Sequence, residues 1–192
     1  MNVETKQVVP LTLMRWASEE WVARLLQEAG ISLTAVLDID PNQRISSLGS
    51  RMLHLVAMSP HRPSEDVTLE VMKFLLNERG GDPNVPDDYG RTPLILFISR
   101  ARNSWSENEQ FGVDVLSLLF AHGADANVYF TPDVVHVAGC AKWTLAHHLN
   151  DRYHGNPPLP PRMRQLLEAK LDRTLPDSEG RTGEVSQFML DV

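Results

Sequence analysis

Cysteine is nearly missing from this sequence. Cys140 is the only one in 192 residues, which excludes an internal disulfide and a thiolate metal cluster. Long apolar runs are missing too. No stretch approaches the roughly 18 consecutive apolar residues a membrane-spanning helix needs, so no membrane partner is expected. The opening Met1-Asn2-Val3-Glu4-Thr5-Lys6 lacks the basic-then-apolar pattern of a secretion signal, and the expected location is cytoplasmic. Positive charge is in short supply. Eighteen Lys and Arg face 25 Asp and Glu, a formal charge of -7. That balance argues against nucleic acid as the main partner and suits a basic protein. Catalytic signatures are absent as well: there is no nucleophile elbow, phosphate loop, dinucleotide fingerprint or zinc-protease helix. Cys140 has His136 nearby, but the small neighbours in Ala138-Gly139-Cys140-Ala141 mark a tight, inert thiol. The expectation is a chain that is not an enzyme and uses no cofactor.

What is present begins with Gly90-Arg91-Thr92-Pro93-Leu94. A Thr hydroxyl can cap the first free N–H groups of a helix, and Pro at the first helical position gives up an N–H that has no partner anyway. Further on, Leu118-Leu119-Phe120-Ala121-His122-Gly123-Ala124-Asp125-Ala126-Asn127 closes a second helix. Gly123 can take the left-handed conformation that stops it, and Ala-Asp-x-Asn turns the chain away. A short helix, a link, a second helix and an extended turn form one unit, and Gly90–Asn127 resembles an ankyrin repeat.

The unit recurs. Val9-Pro10-Leu11, then Val22, Leu25 and Leu26 at helical spacing, then Gly30, outline a first one, and Asp40-Pro41-Asn42 follows as a turn. In the second, Leu53-His54-Leu55-Val56-Ala57 is close to the family's Leu-His-x-Ala-Ala, although Arg51-Met52 stands where Thr-Pro is usual. Ser64-Glu65-Asp66 supplies acidic residues at the start of its second helix, where they oppose the positive end of the dipole. Val71, Phe74, Leu75 and Leu76 make the stripe, and Gly81-Asp82-Pro83-Asn84 matches the family's turn. A degenerate fourth has Trp143-Thr144-Leu145-Ala146-His147-His148, with Met163, Leu166, Leu167 and Leu171 behind it. Asp177-Ser178-Glu179-Gly180-Arg181-Thr182 starts once more. Terminal units of stacked arrays are usually atypical.

The expected architecture is therefore all-α: one ankyrin-repeat domain over 1–192, a solenoid of about four helix-turn-helix units at 9–42, 49–87, 88–133 and 139–177. A closing segment, 178–192, completes it. Leu11, Leu53, Leu94 and Leu145 mark the units, separated by 42, 41 and 51 residues, against a family period of about 33. The excess is assigned mainly to Ser59–Val67, Ala101–Gly112 and Asn150–Arg162, between the helices of a unit, with an enlarged approach Tyr129–Lys142 before the fourth.

The resemblance implies protein binding, through hairpin tips and the exposed side of the first helices. In this chain those positions are Asp88, Tyr89 and Arg91, then Ser99 and Arg100, then Tyr129, Phe130 and Lys142, then Asn150 and Asp151. Tyr89 and Arg91 lead, because Tyr and Arg dominate interface energetics. Other features have plainer readings. Trp105 covers adjoining helices, Tyr129–Val135 forms a satellite core, and Pro157–Arg162 is a stiff link into a helix whose first turn holds Pro161. On a continuous helix His147, Asp151 and His154 would share a face, but Gly155-Asn156-Pro157 follows at once and His147 and His148 fall on core positions, so no metal site is expected. The leading function is a monomeric immunity or inhibitor protein that neutralises a partner such as a bacterial toxin. The alternative is a secreted effector or adaptor recruiting a host protein, and the third reading is a metal-dependent enzyme.

Overall fold

The computed structural model describes residues 17, 23, 38, 40–58, 65–101, 108–131, 142–150, 159–177 and 180. Among them lie six helices: α1 (Met52–Met58), α2 (Glu65–Asn77), α3 (Pro93–Ala101), α4 (Glu109–Ala121), α5 (Leu145–Asn150) and α6 (Pro161–Glu168). No strand is present among these residues; Phe130 and Trp143 form an isolated antiparallel bridge, and Pro176 also lies in a bridge. The all-α expectation holds.

The helices pair and then pile. α1 packs on α2 within one unit, and Phe97 of α3 meets Phe111 of α4 edge-on at 6.1 Å within the next. Between units like packs on like: α1 on α3, α2 on α4, and α4 on α6. Each helix is built for its place. α2 buries Val67, Val71, Met72, Leu75 and Leu76 along one stripe, and α4 buries Gly112, Val115, Leu116 and Leu119 at i, i+3, i+4, i+7. α3 buries Leu94 to Ile98 without a break, as a helix with neighbours on several sides must. One core cluster runs from Ala17 through α1–α4 to Met163 and Leu167.

The helix ends follow the local chemistry. Thr92 Oγ1 accepts from Ile95 N at 3.4 Å ahead of Pro93, and Asn108 caps α4 by accepting from Phe111 N at 3.2 Å. Gly123, at φ +80°, ends α4. The N–H of Ala124 reaches Leu119 O and that of Gly123 reaches Phe120 O, the paired bonds of a Schellman stop.

The turns hold the pile in register. Asp40, Asp82, Asp125 and Asp172 each accept, on Oδ1, the backbone N–H two residues on. Three of those following residues are asparagines, and each reaches into the next turn. Asn42 donates to Gly80 O at 3.0 Å and accepts from Asp82 N at 2.8 Å. Asn84 does the same with Gly123 O and Asp125 N at 2.9 and 2.7 Å. Asn127 repeats it with Lys170 O and Asp172 N at 2.9 and 2.6 Å. In the fourth turn Thr174 takes the asparagine's place, and its hydroxyl folds back onto Asp172 at 2.7 Å.

One expectation is corrected. The first i+4 bonds of the first helices run from Leu55, Leu96 and His148 to Arg51, Thr92 and Thr144. Leu145 therefore matches Pro93, and Ala146 takes the leucine position. The approach to α5 is longer than that to α3, as expected: Pro93 follows Asn84 by nine positions, and Leu145 follows Asn127 by eighteen. Residues 59–64, 102–107 and 151–158, the hearts of the inter-helix segments, lie outside the described residues. So do Trp105, Cys140, His136, His154 and nearly all of 9–39 and 178–192.

Candidate protein-binding surface

Between one unit's second helix and the next unit's first, the chain makes a hairpin. In the third unit Asp87 N donates to Arg91 O at 2.9 Å and Gly90 N to Asp87 O at 3.0 Å, with Gly90 at φ +78°. This is a type I turn followed by a left-handed residue, a common three-residue hairpin. The close approach adds a second demand for glycine: a Cβ on Gly90 would stand 2.8 Å from Tyr129 O and 3.2 Å from Phe130 Cα. Ser46–Gly49 makes the corresponding turn before α1.

The tips are joined in a row. Asp88 N donates to Leu48 O at 3.0 Å, and Thr131 N donates to Tyr89 O at 2.8 Å. Among the described residues, the exposed large hydrophobic side chains are Leu48 at 47%, Tyr89 at 40% and Tyr129 at 42%. Leu48 and Tyr89 stand at matching positions, each just before a positive-φ glycine, and Tyr129 lies two residues before Thr131, which bonds to Tyr89; the tip of that last hairpin lies outside the described residues.

The middle of the row is the most firmly held. The side chain of Asp87 is fully buried and takes four bonds. Its Oδ1 accepts from Tyr89 N and Arg91 N, both at 2.9 Å, and its Oδ2 accepts from Arg91 Nε at 2.8 Å and Nη2 at 2.7 Å. The guanidinium so fixed lies 4.6 Å from the centre of the Tyr89 ring. Arg44 pairs with Asp88 at 2.8 Å on the exposed side.

His54 supports the same hairpin from beneath. Its Nδ1 faces the N–H of Arg51 at 3.2 Å and its Nε2 faces the carbonyl of Arg91 at 3.0 Å. An amide N–H only donates and a carbonyl only accepts, so the proton sits on Nε2. Burial holds the imidazole down to a pKa of about 4, against the weaker upward pull of the Arg91 carbonyl bond. Arg51 itself reaches across to Pro86 O at 2.7 Å and also binds Gly49 O. The His at the third position thus caps a helix that lacks Thr-Pro. His147 repeats the arrangement: its Nδ1 stands 2.7 Å from Thr144 Oγ1 and 3.3 Å from Thr144 N.

The residues expected to contact a partner are distributed as follows. Tyr89, Tyr129, Asp88 and Lys142 are exposed. Arg91 and Phe130 are not. Arg91 is 5% and Phe130 3% accessible, one committed to Asp87 and the other packed with Ile95, Trp143 and Val128. Neither side chain is open to solvent, and the Arg91 guanidinium lies against the Tyr89 ring instead. Ser99 is half-buried, its Oγ 3.2 Å from His148 Nε2 of α5, and the His148 ring sits edge-on to Phe130 at 5.8 Å. Arg100 and Asn150 belong to α3 and α5, with side chains outside the description; Asp151 lies outside the described residues. Leu48 was not among the expected contacts, although it precedes Gly49 as Tyr89 precedes Gly90. Trp143 is buried with its indole N–H lacking an acceptor. Among the described residues no three His, Cys, Asp or Glu side chains gather as metal ligands would, and no helix is long and apolar enough to cross a membrane.

No protein-family model matches the chain, and no curated protein matches it.

Proposed function

We propose that the chain is an ankyrin-type solenoid that binds another protein along its hairpin tips and performs no catalysis. The observation that carries this reading is the exposure of Leu48, Tyr89 and Tyr129 on three successive connections, which are joined through the backbone hydrogen bonds of Asp88 to Leu48 and Thr131 to Tyr89. The stacking of first helices on first helices and second on second, and the asparagine in turn after turn, support the solenoid. A surface fixed before binding loses little entropy on association, and here the Asp87–Arg91–Tyr89 stack does the fixing. Such a surface suits covering the working face of a partner, as an immunity or inhibitor protein does.

The test is a triple variant, Leu48→Ser, Tyr89→Ser and Tyr129→Ser, compared with wild type as bait. Partners retained by wild type and lost by the variant, with thermal melting unchanged, would support the reading. Partners held equally by both would sink it. The inhibitory role has its own test: a toxin encoded beside this gene should be neutralised on co-expression.

A further inference from the structure

The second helices meet at both ends. The asparagine turns join them at the C-terminal end, and a different set of contacts joins them at the N-terminal end. α2 and α4 each begin on a glutamate, Glu65 and Glu109. Each glutamate meets the start of the following second helix. The side-chain amide of Asn108 donates to Glu65 Oε2, and the backbone N–H of Arg162 donates to Glu109 Oε1 at 2.7 Å. The neighbouring Gln110 holds the same residue by its side chain. Arg162 Nη1 donates to Gln110 Oε1 at 2.8 Å, while Gln110 Nε2 is fixed on Asp114 Oδ1 at 2.7 Å.

The two recipients differ. α4 has a cap of its own, since Asn108 Oδ1 accepts from Phe111 N at 3.2 Å. The residue in the same place ahead of α6 is Pro160, and its side chain makes no capping bond. An α-helix leaves its first N–H groups without partners inside the helix. At the start of α6, Pro161 carries no N–H, and Arg164 N already reaches Pro160 O at 2.9 Å. The N–H of Arg162 is one on which a capping side chain acts, and the carboxylate that serves it comes from the helix next door. That carboxylate is a charged acceptor, the stronger kind, and it faces the positive end of the α6 dipole.

We infer that α6 is a conditional helix: its N-cap is supplied in trans by Glu109 of α4, and its first turn forms only against the preceding unit. The dependence runs one way. α4 keeps its start when α6 lets go, because Asn108 caps it within its own unit. The chain just beyond the other end of α6 is held by the same preceding unit, Asn127 donating to Lys170 O at 2.9 Å. Order in the fourth unit's second helix therefore follows order in the third.

The experiment is amide hydrogen exchange on the full chain, resolved by residue, in Glu109→Ala, in Glu109→Gln, and in Glu109→Ala combined with Pro160→Ser. Thermal melting checks that each variant is folded. In Glu109→Ala the amides of Arg162, Met163 and Arg164 should exchange about tenfold faster, while those of Val115, Leu116 and Leu119 in α4 stay within about twofold of wild type. Glu109→Gln keeps an uncharged acceptor and should fall between the two. Pro160→Ser gives α6 a cap of its own and should restore slow exchange in the absence of Glu109. Unchanged α6 amides in Glu109→Ala would overturn the trans cap. Equal acceleration in α4 and α6 would overturn it too, by placing the glutamate's effect on its own helix, and so would a Pro160→Ser change that restores nothing.

Discussion

At the scale of single residues, His54 carries the clearest pH signature. Its pKa of about 4 in the folded chain lies below the ordinary 6.5, so the unfolded chain takes up the proton first as pH falls. Stability is fully present above about 6.5 and is lost progressively down to about 4, by on the order of 3 kcal/mol. Urea titrations at steps across that window should show the loss, and His54→Gln, which keeps a donor for Arg91 O, should flatten it. An unchanged slope in the variant would mean another group is responsible. Trp143→Phe makes a different point. The six-membered ring stays, but the pyrrole ring goes together with its unsatisfied buried donor, so the relief of the donor offsets part of the packing loss and the cost should stay below the roughly 3–5 kcal/mol of a Trp→Ala change. A cost as large as that of Trp143→Ala would show that the indole N–H has an acceptor in solution. Residue roles were legible where they are local. Thr92, Pro93 and Gly123 act on their own helix ends, and a short window contains everything they need. Arg91 was misplaced because an exposed and a buried arginine look alike in sequence; the four bonds gathered by Asp87 exist only once the hairpin has closed. Leu48 was readable from the Leu-Gly and Tyr-Gly pairs at 48–49 and 89–90, but a leucine invites a core assignment when hydrophobicity alone is weighed.

At the scale of elements, the asparagine turns decide how one unit meets the next. Asn84→Ala removes a donor and an acceptor at once and strands Gly123 O and Asp125 N, near enough to solvent that water recovers part of the loss. A destabilisation of about 1–2 kcal/mol is expected. Asn84→Asp keeps the acceptor for Asp125 N and loses only the donor, so it should fall between wild type and Ala in chemical denaturation. If Asp proves as damaging as Ala, the donor bond to Gly123 O carries the contact. The sequence displayed Asp40-Pro41-Asn42, Asp82-Pro83-Asn84 and Asp125-Ala126-Asn127 plainly, yet not their hydrogen bonds, because each partner lies about forty residues on. It also misled about the fourth unit. Thr144-Leu145-Ala146-His147 offers one leucine, and counting leucines places it one position early; the threonine-to-histidine interval, which mirrors Arg51 to His54, sets the frame instead.

For the whole molecule, contacts run mostly between neighbours, so stability should be close to a sum of unit and interface contributions. Asn84 and Asn127 serve different interfaces. The double variant Asn84→Ala, Asn127→Ala should therefore lose the sum of the single losses within about 0.5 kcal/mol, measured by urea denaturation monitored through tryptophan fluorescence and circular dichroism. A clear excess would reveal coupling through the core cluster that joins the units. The helical class was visible from the start, since it comes from periodic apolar stripes and stop signals. The exposed group Leu48, Tyr89 and Tyr129 was only half visible, because it is drawn from three connections about forty residues apart and no one of them announces it.

Thr174 has a directional consequence. Every asparagine handhold points forward along the chain, and at 174 the amide is replaced by a hydroxyl that turns back on its own Asp172. A duplicated unit spliced in upstream, between Asn84 and Asn127, would find a clasp waiting on its leading side and carry one for its successor. The same unit grafted after Thr174 would lack that clasp and depend on helix stacking and hairpin bonds alone. Lengthening this protein from within keeps every clasp, whereas extension beyond that point needs an amide restored there to regain one.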